Sequence, residues 1–96
     1  MSPDAAQKKP TIVLYGLQTC SHCKAARKLI EGRKVPFRMV FVDMLVGGER
    51  SDTLRELKRI NPALSFPTLR IGGRIIVGFK EKEIEKAIDA FVVNES

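Results

Sequence analysis

The spacing of apolar residues changes along the chain, and each change predicts a new element. Ile12 to Tyr15 is a continuous apolar run, typical of a strand covered on both faces. From Ser21 onward the apolar positions recur every three or four residues, which predicts a helix with Gly32 as its stop signal. Phe37 to Val42 is again rich in β-favouring residues. Strand, helix and strand within about thirty residues predict a βαβ unit with parallel strands.

A second helix is predicted after a glycine pair in the middle of the chain. Gly47-Gly48 interrupts the preceding pattern and is expected to form a flexible connection. Ser51 or Asp52 can then cap a helix whose apolar residues extend to Ile60.

A hairpin and a third helix are predicted in the last part of the chain. Thr68 to Ile71 and Arg74 to Val77 flank Gly72-Gly73, a two-residue loop that tolerates positive φ. Lys80 to Val92 has the apolar stripe of an amphipathic helix. The order βαβ, α, ββα predicts an α/β domain with a small mixed sheet flanked by helices, and such sheets carry their sites at the carboxyl ends of strands.

Length and composition place these elements in one domain. A chain of 96 residues can bury a core without disulfide staples. Residues 1–10 are predicted to be a flexible polar tail and residues 11–96 the folded domain. No apolar run approaches the roughly 20 residues of a membrane span, and the tail lacks a secretory signal. With only two cysteines, the composition is typical of a soluble cytoplasmic protein.

Both cysteines belong to one short motif, Cys20-Ser21-His22-Cys23, located where the first strand ends and the first helix begins. A helix N-terminus stabilises a thiolate, which is the reactive form of cysteine. Cys20 at the turn can face solvent, and Cys23 in the first helical turn can attack a mixed disulfide that Cys20 has formed. The spacing therefore predicts thiol–disulfide exchange.

The rest of the chain carries further segments in a fixed order around this motif, namely Tyr15, Ser65-Phe66-Pro67-Thr68, Gly72-Gly73 and Val77-Gly78-Phe79. Together they resemble a glutaredoxin of the thioredoxin fold, over nearly the whole chain after the tail. The resemblance implies a four-stranded sheet, with Cys20 as the attacking thiol and Cys23 as the resolving thiol. It also implies that the backbone of Phe66 pairs with a bound thiol substrate and that the peptide before Pro67 is cis. Sequence alone favours trans, because only about 5–6% of X-Pro bonds in folded proteins are cis.

The resemblance also implies cofactors and partners. No tightly bound cofactor is expected, glutathione is a candidate co-substrate, and disulfide-containing proteins are the expected partners of a monomer. Leu17, however, replaces a lysine of many glutathione-binding glutaredoxins, and Gly78-Phe79-Lys80-Glu81 replaces their γ-glutamyl-binding segment. Because this segment lies at the family's glutathione-binding end, Gly78 and Lys80 are candidate substrate-binding residues. The Gly-Phe pair resembles relatives that take electrons from thioredoxin reductase, including donors of ribonucleotide reductase, so both electron sources stay open.

His22 stands where many relatives carry a tyrosine between the cysteines. If protonated, it would stabilise the Cys20 thiolate and raise the reduction potential; a neutral loop histidine would have no such role. We expect a higher potential than in a His22→Tyr variant, each 30 mV representing about 1.4 kcal/mol. Equal potentials would dismiss this role.

Metal binding is the alternative use of the cysteine motif. A structural zinc needs four ligands, and this turn offers two thiols and one imidazole. Some glutaredoxins share an iron–sulfur cluster across a dimer with the help of glutathione thiols, so a cluster-binding module is a second hypothesis. Visible absorbance after anaerobic purification would support it.

The formal net charge of +6 raises the question of acidic partners. Lys24, Arg27 and Lys28 have same-face spacing on the first predicted helix. No aromatic-rich RNA-binding signature accompanies them, so nucleic acid is not predicted as a partner. The remaining interpretations are a solvated helix face and a docking surface for acidic proteins.

Overall fold

A computed structural model describes residues 12–95 of the chain, and the predicted tail, residues 1–10, lies outside them. Its strands are β1 (Ile12–Gly16), β2 (Arg38–Phe41), β3 (Thr68–Ile71) and β4 (Arg74–Val77). Its helices are α1 (Ser21–Gly32), α2 (Gly47–Ile60) and α3 (Glu81–Glu95), and a short 3-10 turn, Val42–Met44, follows β2.

The strands form one mixed sheet in the order β2-β1-β3-β4. β1 pairs with β2 in parallel, and the β1–β3 and β3–β4 pairs are antiparallel. The predicted α/β architecture, βαβ-α-ββα with four strands, is therefore confirmed. Tyr15 is paired with Thr68, and Thr68 with Val77, so the end of β1, the start of β3 and the end of β4 meet at one edge of the sheet.

β1 is apolar at successive positions because both faces of the sheet are covered. Ile12 and Leu14 are fully buried in a core on the face covered by α1 and α3. Tyr15 packs on the opposite face with Leu57 of α2. Alternation of side chains along a strand produces this division. As a result, the carboxyl end of β1 is held between two cores.

α2 begins earlier than the sequence predicts. Its first residue is Gly47, preceded by Val46 as an N-cap without a side-chain hydrogen bond. Gly47 has a φ of 63°, which a residue without Cβ adopts at little cost. Ser51, predicted as a cap, instead donates its hydroxyl to the Gly47 carbonyl at 3.4 Å. The predictions of a flexible connection at Gly47-Gly48 and of a cap at Ser51 or Asp52 were therefore wrong, since all four residues lie within α2.

Smaller differences affect the ends of β2 and α3. β2 ends at Phe41, because Val42 already belongs to the 3-10 turn. α3 begins at Glu81, and the Lys80 carbonyl accepts the amide of Ile84 at 2.9 Å. The predicted hairpin is confirmed, with Gly72 at a φ of 61°. In the part of the chain that the structure describes, no helix is both long and apolar enough to cross a membrane.

Candidate active site

Cys20 is the N-cap residue of α1. Its backbone is extended, with φ −84° and ψ 115°, and its Sγ accepts the amide N–H of Cys23 at 3.2 Å. Its carbonyl accepts the amide of Lys24 at 3.1 Å, which begins the helical ladder. The sulfur of Cys20 is thus positioned where the first N–H groups of a helix are unpaired, an arrangement that favours negative charge. Cys20 is partly exposed.

Cys23 has the opposite environment. It is only 1% exposed, and burial raises the pKa of its thiol to about 12, helped by the hydrogen bond with Cys20. Negative charge on Cys20 and Asp43 adds to the rise in this pKa, whereas a hydrogen bond with the backbone of Leu17 opposes it. Both cysteines are free thiols. The motif therefore combines one accessible sulfur with one that holds its proton.

The loop before the motif is held in place by a residue from the neighbouring strand end. The amide of Gln18 donates to both carboxylate oxygens of Asp43, at 3.2 and 3.3 Å. The Leu17 carbonyl accepts the amide of Cys20 at 3.3 Å. In the sequence, Asp43 shows only as the polar residue that ends the β-favouring run before it. The proximity of Asp43 to the loop after β1 was predictable, because the carboxyl ends of adjacent parallel strands meet at one edge of a sheet.

On the other side of the motif, the Phe66-Pro67 peptide bond is cis, as the family resemblance implied. The Pro67 carbonyl accepts the amide of Gly78 at 2.7 Å, and Gly78 has a φ of 89°. The structure thus brings Pro67 and Gly78 together. Among residues 12–95, no hydrogen bond engages the backbone of Phe66.

A small buried network closes the loop that carries Phe66 and Pro67. Asn61 donates its side-chain amide to the Ser65 carbonyl and to the Thr68 hydroxyl, both at 3.0 Å. The Thr68 hydroxyl in turn donates to the Ser65 carbonyl at 2.8 Å. Asn61 and Thr68 are both buried. The sequence gives no sign of this role, because an asparagine before a proline is also typical of an ordinary helix end.

The chain is similar to known proteins in sequence and in fold. The family model for glutaredoxin matches residues 12–76, well over half of the chain. The chain belongs to the glutaredoxin family. The match includes both cysteines and the Phe66-Pro67 segment but ends before Gly78.

Three relatives of this glutaredoxin extend the comparison. An uncharacterised glutaredoxin-like 8.6 kDa protein in the rubredoxin operon of Clostridium pasteurianum is 30% identical over 78 residues, covering 81% of this chain and 97% of that protein. The crystal structure of Methanosarcina acetivorans methanoredoxin is 44% identical with a TM-score of 0.76, covering 83% and 85% of the two chains. NrdH-redoxin from Escherichia coli, described as a glutaredoxin-like protein with a thioredoxin-like activity profile, is 25% identical with a TM-score of 0.63, covering 79% and 92%.

The other predicted site residues of this glutaredoxin are at the edge of the site. His22 is exposed in the first turn of α1. Lys80 is exposed just before α3, two residues after Gly78, whose carbonyl accepts the Lys80 amide at 3.1 Å. Within residues 12–95, no cluster of three or more histidine, cysteine or acidic side chains is placed to hold a metal ion.

Proposed function

We propose that this glutaredoxin is a dithiol oxidoreductase that reduces protein or glutathione mixed disulfides, with Cys20 as the nucleophile and Cys23 as the resolving thiol. One observation carries the proposal: the Cys23 amide donates to the Cys20 sulfur at 3.2 Å while the Cys23 sulfur is buried. The two thiols are close along one helical turn, yet only Cys20 is accessible to a substrate.

The proposed reaction has two exchange steps. The Cys20 thiolate attacks one sulfur of a substrate disulfide, forms a mixed disulfide, and releases the other substrate sulfur as a thiolate that takes up a proton. Cys23 then loses its proton and attacks the Cys20 sulfur, which releases the second substrate thiol. The substrate gains two electrons and two protons, and the protein is left with a Cys20–Cys23 disulfide. A reducing thiol system must then reopen this disulfide.

Two further features support binding of the substrate beside Cys20. The backbone N–H and carbonyl of Phe66 have no hydrogen-bond partner among residues 12–95, whereas the carbonyls of Ser65 and Pro67 are occupied. Phe66 is therefore available to pair with the backbone around a substrate sulfur. Gly78 donates its amide to the Pro67 carbonyl and Lys80 donates its amide to the Gly78 carbonyl, so both are our candidates for further substrate contacts.

The electron source has two candidates, glutathione and thioredoxin reductase. Leu17 in place of a lysine, and Phe79 after Gly78, favour thioredoxin reductase. The thioredoxin-like activity profile ascribed to NrdH-redoxin supports the same choice, since that protein shares the fold and a quarter of its residues. The match to the glutaredoxin family over residues 12–76 supports glutathione as the electron source, because glutathione is the typical co-substrate of that family.

The test is NADPH consumption during reduction of a disulfide substrate, with either glutathione plus glutathione reductase or thioredoxin reductase alone. Cys20→Ser is the control and should be inactive in both systems. Turnover with either system supports the oxidoreductase function, and the system that works identifies the electron source. An inactive wild-type protein in both systems, or an active Cys20→Ser variant, would contradict the proposal.

A further inference from the structure

A groove lies beside the motif, between α1 and the edge strand β2. It encloses about 160 Å³ and is lined by apolar side chains of Leu17, Met39 and Phe41, with Cys23 also in its wall. A groove of this size accommodates a side chain rather than a helix. Its surface is therefore suited to an extended segment.

The groove and the Phe66-Pro67 loop flank the motif on opposite sides. The sheet order is β2-β1-β3, the motif follows β1, the groove borders β2, and the loop precedes β3. Cys20 therefore lies between the Phe66-Pro67 loop and the groove, so a polypeptide that pairs with Phe66 and delivers its disulfide to Cys20 has the groove on the other side of the sulfur. The groove is thus placed to contact residues that flank the substrate disulfide.

The basic side chains at the groove favour an acidic ligand. Lys24 and Arg27, one helical turn apart on α1, line it. Arg27 pairs with Glu31 at 3.2 Å. Lys24 is exposed, and no acidic side chain within residues 12–95 forms an ion pair with it. An ammonium without an ion-pair partner, beside the apolar side chains of Met39 and Phe41, is complementary to an acidic residue next to an apolar one.

We propose that this groove is a docking subsite for an acidic segment of protein disulfide substrates, in which a carboxylate pairs with Lys24 and an adjacent apolar side chain covers Met39 and Phe41. The proposal rests on the proposed oxidoreductase function and names the class of substrate that the same site prefers. The chain's net charge of +6 attracts acidic proteins at long range, and Lys24 would then pair with a carboxylate at the groove itself.

The test compares two disulfide-containing peptides that differ only in the residue before a leucine near the disulfide, glutamate in one and glutamine in the other. We expect kcat/KM to be about twofold to fivefold higher for the glutamate peptide, the effect of one exposed ion pair. Lys24→Glu should reverse this preference. Lys86→Glu is the matched control, because Lys86 is an exposed lysine on α3, which packs on β3 and β4 away from the groove. It changes the net charge equally and should leave the preference intact.

The outcomes separate the docking subsite from the oxidoreductase function. If wild type reduces both peptides at the same rate, the oxidoreductase function holds and the docking subsite is wrong. An equal loss of preference in Lys24→Glu and Lys86→Glu would also overturn it, because long-range charge alone would then explain the preference. If neither peptide is reduced, the oxidoreductase function fails and the docking subsite fails with it.

A binding measurement with a peptide that cannot undergo disulfide exchange locates the subsite independently of turnover. The chain has only three methionines, so their methyl NMR signals are readily assigned. A glutamate peptide with serine in place of cysteine should shift the methyl signal of Met39 in wild type and not in Lys24→Glu. If the Met39 signal does not move while the peptide binds, the docking surface lies elsewhere and the proposal is overturned.

Discussion

Gly16 leaves the space that Cys23 occupies. A Cβ atom at residue 16 would lie 3.0 Å from both the Cβ and the Sγ of Cys23, and 3.2 Å from the terminal methyl of Met39. Most Cβ contacts in proteins are longer than these, so Cys23 and Met39 would have to shift by a few tenths of an ångström to admit the methyl group. Glycine at the end of β1 therefore lets the Cys23 side chain pack against its backbone.

We expect Gly16→Ala to displace Cys23 and to lower the free energy of unfolding by about 1–3 kcal/mol, the usual effect of overpacking. The second exchange step should slow as well, because the Cys23 sulfur moves relative to Cys20. Chemical denaturation and stopped-flow measurements of product release check both effects. Gly48→Ala is the control, since a Cβ there meets nothing within 4 Å. An unchanged stability and rate in Gly16→Ala would show that Cys23 tolerates the methyl group.

Asp43 should have two separable effects on the motif. Asp43→Ala removes the acceptor of the Gln18 amide and should lower the free energy of unfolding by about 0.5–1.5 kcal/mol. Asp43→Asn keeps an acceptor oxygen and should retain most of that stability. Both variants remove a negative charge that raises the pKa of Cys23, so this pKa should fall in both. Thiolate absorbance against pH measures it. A fall in only the alanine variant would mean that geometry, not charge, acts on Cys23.

The rate of the second exchange step should depend on pH through Cys23. Its pKa is raised to about 12 from an ordinary 9.0, first by burial and then by the hydrogen bond with Cys20. A mixed disulfide at Cys20 removes the thiol and its charge, and burial remains, so Cys23 should still titrate above its ordinary value. Below that pKa only a small fraction is thiolate, and the rate should rise with pH. Product release followed from pH 6 to about pH 10 tests this; a rate that levels off near neutral pH would contradict the assigned environment.

Asn61 should influence substrate binding although it is buried. Asn61→Ala leaves the Ser65 carbonyl and the Thr68 hydroxyl without their amide donor, and should cost about 1–3 kcal/mol of stability. The loop that carries Phe66 would be less well ordered, so KM should rise more than kcat falls. Thr68→Val, which removes only the hydroxyl, serves as a comparison. The two changes should be non-additive because they disrupt one network. Strictly additive effects would show that the residues act independently.

The sequence predicted the fold well where hydrophobic spacing decides it. β1, α1, the hairpin and α3 all have apolar patterns that match their burial, and their bounds were correct within a few residues. The start of α2 was wrong, because Gly47 and Gly48 are poor helix formers in isolation. The second half of α2 packs through Leu57 against Tyr15 of the sheet, and the helix extends back from there to Gly47.

Only the contacts between residues close together in the sequence were predictable at the site. Cys20 and Cys23 are three residues apart, so their contact follows from one helical turn. Asp43 and Gln18 are 25 residues apart, and their hydrogen bond depends on how β1 and β2 pair. The close approach of Gly16 to Cys23 depends on how α1 packs on the sheet. Relationships of this kind require the tertiary structure.

The roles of Cys20 and Cys23 are distinguished by the sulfur to which a disulfide substrate becomes attached. Cys23→Ser, mixed with an excess of a disulfide substrate, should accumulate one mixed disulfide, which mass spectrometry of proteolytic fragments should locate at Cys20. Cys20→Ser under the same conditions should form no adduct, because the remaining thiol is buried and holds its proton. An adduct on Cys23 in Cys20→Ser, formed as rapidly as the adduct on Cys20, would contradict the assignment of the two thiols.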